Sequence, residues 1–156
     1  MKIEELFSVR GKVALITGGS RGIGEMIARA YVENGVKVYI TARKAEACDA
    51  LADELSKTGE CISIPGDISR LDEIDRLGTE IEGRERRLDI LVNNAGASWG
   101  ADFQSFPESG WDKVMDLNVK SVFFLTQRLI KLLEADRTRA ARHRDGSASA
   151  ETPALA

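Results

Sequence analysis

A glycine-rich stretch near the start of the chain carries the clearest chemical signal in the sequence. Gly18, Gly22 and Gly24 follow an apolar run at 13–16 and lead into a segment of helical period. Glycine lets the backbone take left-handed angles and approach a pyrophosphate closely, and the free N–H groups at a helix start attract an anion. Between a buried strand and a helix, such a turn predicts a site for the phosphates of a nucleotide.

The elements that would position this turn alternate along the chain. Short apolar or β-branched runs predict strands at 13–16, 36–41, 61–64 and 88–93. Apolar residues at helical spacing predict helices at 22–34 and 45–58, a third one capped by Ser69, and a fourth at 111–133. This order predicts an α/β fold, a doubly wound parallel sheet of the Rossmann type with strand order 3-2-1-4.

Composition excludes several functions. The chain has 156 residues, a net charge of -3, one histidine and two cysteines. A single histidine argues against a His-rich zinc site and against most Ser-His-Asp chemistry, and two cysteines make no disulfide framework. The charge gives no basic footprint for nucleic acid, and no apolar run reaches the roughly 18 residues of a membrane span. We therefore expect a cytoplasmic protein with no metal, nucleic-acid or membrane partner.

Four motifs in order make a family resemblance specific. They are Thr17-Gly18-x-x-x-Gly22-x-Gly24, Asp67 after the third strand, Asn93-Asn94-Ala95-Gly96 after the fourth strand, and Leu117-Asn118-Val119. Together they resemble the short-chain dehydrogenase/reductase family over about residues 7–133.

The resemblance implies a role for each motif. Asp67 would reach the adenine ring, the segment after the fourth strand would line the cofactor cleft, and Asn118 would be the tetrad asparagine that holds a water for proton relay. The cofactor-binding residues implied are Thr17, Gly18, Ser20, Arg21, Gly22, Ile23, Gly24, Arg43, Asp67, Ile68, Asn94, Ala95 and Gly96.

Charge at the end of the second strand bears on the choice of cofactor. An NAD enzyme uses an acid there to accept a hydrogen bond from the ribose 2′-hydroxyl, and the same acid would repel the 2′-phosphate of NADP. The sequence has Thr41-Ala42-Arg43 at this point, and Arg21 lies in the glycine turn. Two cations and no acid favour NADP(H), although Arg43 could also be an ordinary solvated residue at a helix start.

The segment from Asn93 to Ala101, with Gly110-Trp111 further on, bears on the substrate. It resembles reductases of the family that act on 3-oxoacyl groups, which implies a 3-oxoacyl or similar carbonyl substrate, either a small molecule or bound to an acyl carrier. Trp99 and Trp111 could line an acyl pocket. Aromatic residues beside a helix start more often serve in core or interface packing.

The residues that complete catalysis in the family are not found in the sequence. Carbonyl reduction there needs a Tyr-x-x-x-Lys pair and a serine after a fifth strand. The tyrosines are Tyr31 and Tyr39, and neither is followed by lysine at that spacing. We therefore expect a truncated or frameshifted chain, inactive alone, with an NADP-binding half-domain at 1–134 and a disordered tail at 135–156 that resembles no part of the family.

Three functional hypotheses remain. The first is an NADPH-dependent oxidoreductase represented by an incomplete chain. The second is a non-catalytic NADP-binding or assembly module, which would bind NADP or a full-length relative without turnover. The open edge of the fourth strand predicts poor solubility or a binding partner, and the apolar stripe of the fourth helix is suited to a homo-oligomer. The third is a methyltransferase-like doubly wound domain, which is the weakest because such domains carry an acid where Arg43 stands.

Overall fold

A four-stranded parallel sheet forms the centre of the computed structural model, which describes residues 6–144 and their side chains as far as 135. Strands β1 to β4 span Val13–Thr17, Lys37–Thr41, Cys61–Ser63 and Ile90–Val92. Helices α1, α2 and α3 span Gly22–Glu33, Ala45–Leu55 and Leu71–Arg84, and each connects one strand to the next. The strand order is β3-β2-β1-β4, so the predicted doubly wound α/β fold is confirmed.

The chain after β4 forms a long helical run. A short 3-10 turn at Phe103–Ser105 precedes α4 at Glu108–Met115, and a π-helical segment at Asp116–Lys120 leads into α5 at Ser121–Arg144. The long helix predicted at 111–133 is confirmed as part of this helical run, although apolar spacing does not reveal its local widening to π geometry.

The end of α5 also differs from the prediction. The helix runs ten residues past 134, over a stretch rich in alanine and arginine, which are both strong helix formers. Residues 135–144 are therefore helical, where disorder was predicted. The remainder of that predicted tail, 145–156, lies outside the described residues.

Both faces of the sheet are covered. Ala14 and Ile16 of β1 belong to one core cluster with residues of α1 and α2, whereas Leu15 belongs to a second cluster with residues of α3 and α5. A parallel strand buried on both faces has no polar alternation, which is why β1 is apolar at each of its first four positions. Within the described part of the chain, β4 pairs only with β1, so its other edge is open.

The start of α3 shows how local competition decides a helix cap. Ser69 is not the cap: Arg70 holds that position, and no side chain caps the helix. Ser69 instead donates its hydroxyl and its N–H to Oδ1 of Asp67, at 2.8 and 3.1 Å. The carboxylate is a charged acceptor, so the hydrogen bond that the hydroxyl donates to it is stronger than one that the hydroxyl would accept from a helix N–H.

Candidate functional site

The glycine-rich turn after β1 is held against the end of β2. The N–H groups of Gly18 and Gly19 both donate to the carbonyl of Thr41, at 2.8 and 3.3 Å. Gly18 and Gly22 have φ angles of 65° and 56°, in the left-handed region that strongly favours glycine. A side chain at Gly22 would meet nothing within 4 Å among the described residues, so this corner of the turn faces open space that a phosphate could enter.

The first turn of α1 lies close to the same backbone. A Cβ added at Gly24 would come within 2.7 Å of Nδ2 of Asn94 and within 2.9 Å of the carbonyl carbon of Gly18. Both neighbours are themselves fixed by hydrogen bonds, so neither can easily move away. Glycine at position 24 is therefore needed for the helix to begin directly behind the turn.

Thr17 and Asn94 join the turn to the chain after β4. Oγ1 of Thr17 donates to the carbonyl of Val92 at 3.2 Å and accepts the N–H groups of Asn94 and Ala95, both at 3.0 Å. Nδ2 of Asn94 donates in return to the carbonyls of Thr17 and Gly18, at 3.0 and 3.3 Å. These hydrogen bonds hold the carboxyl ends of β1 and β4 side by side.

A cleft of about 500 Å³ opens at the carboxyl ends of the strands. It brings together ten of the residues that the sequence singles out: Gly18, Ser20, Arg21, Gly22, Arg43, Asp67, Ile68, Asn94, Ala95 and Gly96. Thr17 and Gly24 do not line it, because they are buried behind the turn, and Ile23 is 70% exposed on the outside of α1.

The cleft is also lined by six residues that are not among the predicted site residues: Thr41, Ala42, Lys44, Ala47, Gly66 and Leu117. A signal was available for several of them. Thr41 ends β2, and Ala42 and Lys44 follow it directly, at the edge of a parallel sheet where ligands bind. Leu117 gave no such signal, since it lies in the π-helical segment.

One end of the cleft is positively charged. Arg21, Arg43 and Lys44 are exposed, and none of them forms an ion pair with another residue in the described part of the chain. The residues before α1 and α2, Arg21 and Lys44, make no side-chain capping hydrogen bond, so the first N–H groups of both helices have no side-chain partner there. Unpaired cations beside uncapped helix starts attract an anion.

Thr41 contributes an unsatisfied hydroxyl. The residue is 1% exposed, and Oγ1 has no hydrogen-bond partner among the described residues. Burying a hydroxyl without a partner costs about 1–3 kcal/mol. Because Thr41 lines the cleft, a polar group bound there could satisfy it.

Asn118 lies in the π-helical segment and is fixed to the chain after β4. Its Nδ2 donates to the carbonyl of Ala97 at 2.9 Å, and its Oδ1 accepts the N–H of Ala97 at 2.8 Å. Gly96 and Leu117 line the cleft beside it, whereas Asn118 itself does not. Both ends of the amide thus hold the loop, and its role in proton relay stays a prediction.

Neither tryptophan lines the cleft. Trp99 packs over Gly110, where an added Cβ would lie 2.7 Å from Cδ1 of the indole, and Nζ of Lys113 lies 4.9 Å from the ring centre. Trp111 is 59% exposed. An acyl pocket lined by the two residues stays a prediction.

The described residues include neither a metal-binding cluster nor a helix suited to a membrane. No group of three or more His, Cys, Asp or Glu side chains is arranged to hold a metal ion. None of the helices there combines the length and the apolar character needed to cross a membrane.

The fold and the cleft define a doubly wound protein with an anion-attracting site at the carboxyl edge of its sheet. Comparison with known proteins makes the class specific: the family model for short chain dehydrogenase matches residues 12–141, and the chain belongs to this family. Membership confirms the resemblance and overturns the methyltransferase-like alternative. The match passes Leu133, so the prediction that the chain after 134 resembles no part of the family is wrong for 135–141.

The relatives include reductases. The chain is 51% identical, over 148 residues, to the rhamnolipids biosynthesis 3-oxoacyl-[acyl-carrier-protein] reductase of Pseudomonas aeruginosa, which covers 95% of this chain and 54% of that protein. The structure of the Pseudomonas aeruginosa RhlG/NADP active-site complex matches with a TM-score of 0.78 and 54% identity, over 82% of this chain and 50% of that one. L-sorbose reductase from Gluconobacter frateurii, complexed with NADPH and L-sorbose, matches with a TM-score of 0.79 and 27% identity, over 83% of this chain and 50% of that one. The chain spans about half the length of the curated relatives it matches.

Proposed function

We propose that this chain is the NADP(H)-binding half of a reductase that acts on a 3-oxoacyl or similar carbonyl substrate, either a small molecule or one bound to an acyl carrier. The observation that carries the proposal is the cleft with Arg21, Arg43 and Lys44, which have no ion-pair partner among the described residues, beside two helix starts without a side-chain cap. The solved relatives that contain NADP or NADPH support the cofactor, and the relative that is a 3-oxoacyl reductase supports the substrate class.

The residues present fit this cofactor. The pyrophosphate would be held by the glycine turn at Gly22 and by the first N–H groups of α1, with Arg21 beside them. Arg43 and Lys44 would take the 2′-phosphate, and no acid stands at the end of β2 to repel it. Thr41 would gain the partner that its buried hydroxyl lacks.

When bound, the cofactor supplies the hydride for reduction of a carbonyl. The residues of this chain bind and orient the cofactor, and Asn118 holds the loop after β4 against the helix. The sequence has no Tyr-x-x-x-Lys pair to donate and relay the proton. Since general acid catalysis alone contributes about 10² to 10⁴ in rate, we expect residues 1–156 by themselves to bind NADP(H) and to reduce no carbonyl measurably.

A non-catalytic assembly module is the second candidate, and one observation favours it. Phe123 and Ile130 of α5 are 62% and 42% exposed, and they lie on one apolar surface with Val119 and Val122. A homo-oligomer through this helix would cover that surface. Sedimentation of the purified chain tests it, because a monomer at all concentrations would remove the reason for the candidate.

Binding of NADPH and NADH tests the main proposal. Energy transfer from Trp99 and Trp111 to the reduced nicotinamide reports saturation, and adding a 3-oxoacyl thioester to the NADPH complex tests for turnover. We expect NADPH to bind at least tenfold tighter than NADH, which corresponds to about 1.4 kcal/mol. Arg43→Ala should remove most of that preference, because Arg43 would hold the 2′-phosphate that only NADPH carries.

The matched control is Arg86→Ala. Arg86 is an exposed arginine in the connection that leads into the amino end of β4, away from the cleft. Its replacement should leave both affinities unchanged. A folded chain that binds NADH as tightly as NADPH, or binds neither, would contradict the proposal.

A further inference from the structure

Arg76 reaches from α3 to one wall of the cleft without lining it. Its Nη2 donates to the carbonyl of Pro65 at 2.5 Å and to Oε2 of Glu73 at 2.8 Å. Pro65 directly precedes Gly66, Asp67 and Ile68, which line the cleft. The guanidinium therefore ties the helix to the backbone of the loop that forms this wall.

The loop is fixed on its other side as well. The N–H of Gly66 donates to the carbonyl of Ala42 at 3.1 Å, which connects the loop to the extension of β2. A Cβ added at Gly66 would lie 2.8 Å from Nη2 of Arg76 and 2.9 Å from Oε2 of Glu73. The loop thus packs directly on the Arg76–Glu73 pair, and a shift of that pair would move the wall.

Glu73 orients the guanidinium. The two side chains form an ion pair three residues apart on the first turns of α3. The carboxylate raises the pKa of Arg76, and Arg76 lowers the pKa of Glu73, so both groups stay charged at neutral pH. A forked, charge-assisted contact of this kind fixes the direction as well as the position of a guanidinium.

We infer that Arg76 is a positioning residue of the nucleotide site. By holding the Pro65 carbonyl it fixes the wall at Gly66–Ile68 beside the wall at Ala42–Lys44, to which Gly66 is hydrogen-bonded. The adenosine end of the dinucleotide would lie between these walls, because the 2′-phosphate on its ribose would be taken by Arg43 and Lys44. The inference rests on the proposed function for the identity of the ligand, and on the hydrogen bonds alone for the role of Arg76 in the loop.

Arg76→Ala is the variant that tests it, and Arg84→Ala is the matched control. Arg84 is an arginine of the same helix that pairs with Glu80, as Arg76 also does, but it has no hydrogen bond to the loop among the described residues. The ligands are NADPH and adenosine 2′,5′-bisphosphate, measured at a temperature at which every variant is folded.

We expect Arg76→Ala to weaken both ligands by the same factor, about fivefold, because the bisphosphate contains the part of the dinucleotide that the wall faces. Arg84→Ala should change neither affinity by as much as twofold. Arg76→Lys should recover part of the loss, since an ammonium can still donate to the Pro65 carbonyl although it lacks the fork. Unchanged affinity in Arg76→Ala would overturn the inference.

Amide hydrogen exchange at Gly66 gives a second measurement that needs no ligand. Loss of the Arg76 contact should speed exchange of this N–H and leave the amides of β2 as they are, whereas Arg84→Ala should not change it. Equal protection in the wild type and in Arg76→Ala would overturn the inference even where affinity falls. If the wild-type chain binds neither ligand, the proposed function fails, and the exchange result still decides whether Arg76 holds the loop.

Discussion

Replacing Tyr39 by phenylalanine is expected to change how the stability of the fold depends on pH. Tyr39 is fully buried in β2, and its hydroxyl donates to Oε1 of Glu85 at 2.6 Å. Nζ of Lys37 pairs with the same oxygen at 2.7 Å. Burial, followed by the hydrogen bond to Glu85, raises the pKa of Tyr39 from 10.0 to about 12.

The sign of the pH effect follows from this shift. The folded state favours the protonated phenol, so its contribution is complete below pH 10 and is lost as the pH rises towards 12. A shift of two pKa units corresponds to about 2.7 kcal/mol at full effect. At pH 8 we expect Tyr39→Phe to cost about 1.5–3 kcal/mol, the range for a lost hydrogen bond to a charged group. Glu85 keeps its other partner, Lys37.

Urea unfolding between pH 8 and pH 11 measures this. The wild type should lose stability faster than Tyr39→Phe over the alkaline part of that range, so the difference between the two proteins should shrink. Parallel curves for the two proteins would refute the reasoning. NADPH affinity should be unchanged in the variant, because Tyr39 does not line the cleft.

Three other outcomes are expected. Gly24→Ala should lower the free energy of unfolding by about 1–3 kcal/mol and abolish NADPH binding, because the added Cβ would displace Asn94 and the glycine turn. A variant with the wild-type urea midpoint and the wild-type affinity for NADPH would contradict this. Thr41→Val removes a buried hydroxyl that has no hydrogen-bond partner among the described residues, so it should raise the free energy of unfolding of the free chain by about 1 kcal/mol in urea. The same change should lower the affinity for NADPH. A lower free energy of unfolding in the variant would count against this reasoning. Cys48 and Cys61 are buried, and burial raises the pKa of Cys61 to about 11. A thiol reagent should therefore modify both only as fast as the fold opens. Rapid labelling at pH 8 would contradict the packing described.

The fold could be predicted from the sequence where a single physical cause dominates. The strands could be predicted because a strand buried on both faces has no polar alternation, as in the first four residues of β1. The glycine turn could be predicted because a position that needs a left-handed φ angle, such as Gly22, is most often occupied by glycine. The cationic end of the cleft could be predicted from Arg21 and Arg43, because two cations lie near the strand ends and no acid stands at the end of β2.

Other features depend on competition between neighbours, which a pattern does not rank. Ser69 matches the composition of a helix cap, but the carboxylate of Asp67 two residues earlier takes its hydroxyl. The π-helical segment around Asn118 preserves the apolar spacing of an α-helix on either side, so spacing could not reveal it. Arg76 could not be assigned a role either, because its contact with Pro65 depends on how the loop after β3 folds back over α3.

The hydrogen bonds also indicate which part of the cofactor site this chain can form by itself. The glycine turn proposed to hold the phosphates is fixed by Thr17, by the carbonyl of Thr41 and by Asn94, which lie at or just after the carboxyl ends of β1, β2 and β4. The wall at Gly66 is fixed by Ala42 and Arg76, again from within the chain. Each of these contacts joins residues within 6–135, whereas the proton donor of the proposed reaction has no counterpart in the sequence. Binding of NADPH without turnover is therefore the behaviour that this arrangement favours, and binding and reduction should be separable by experiment.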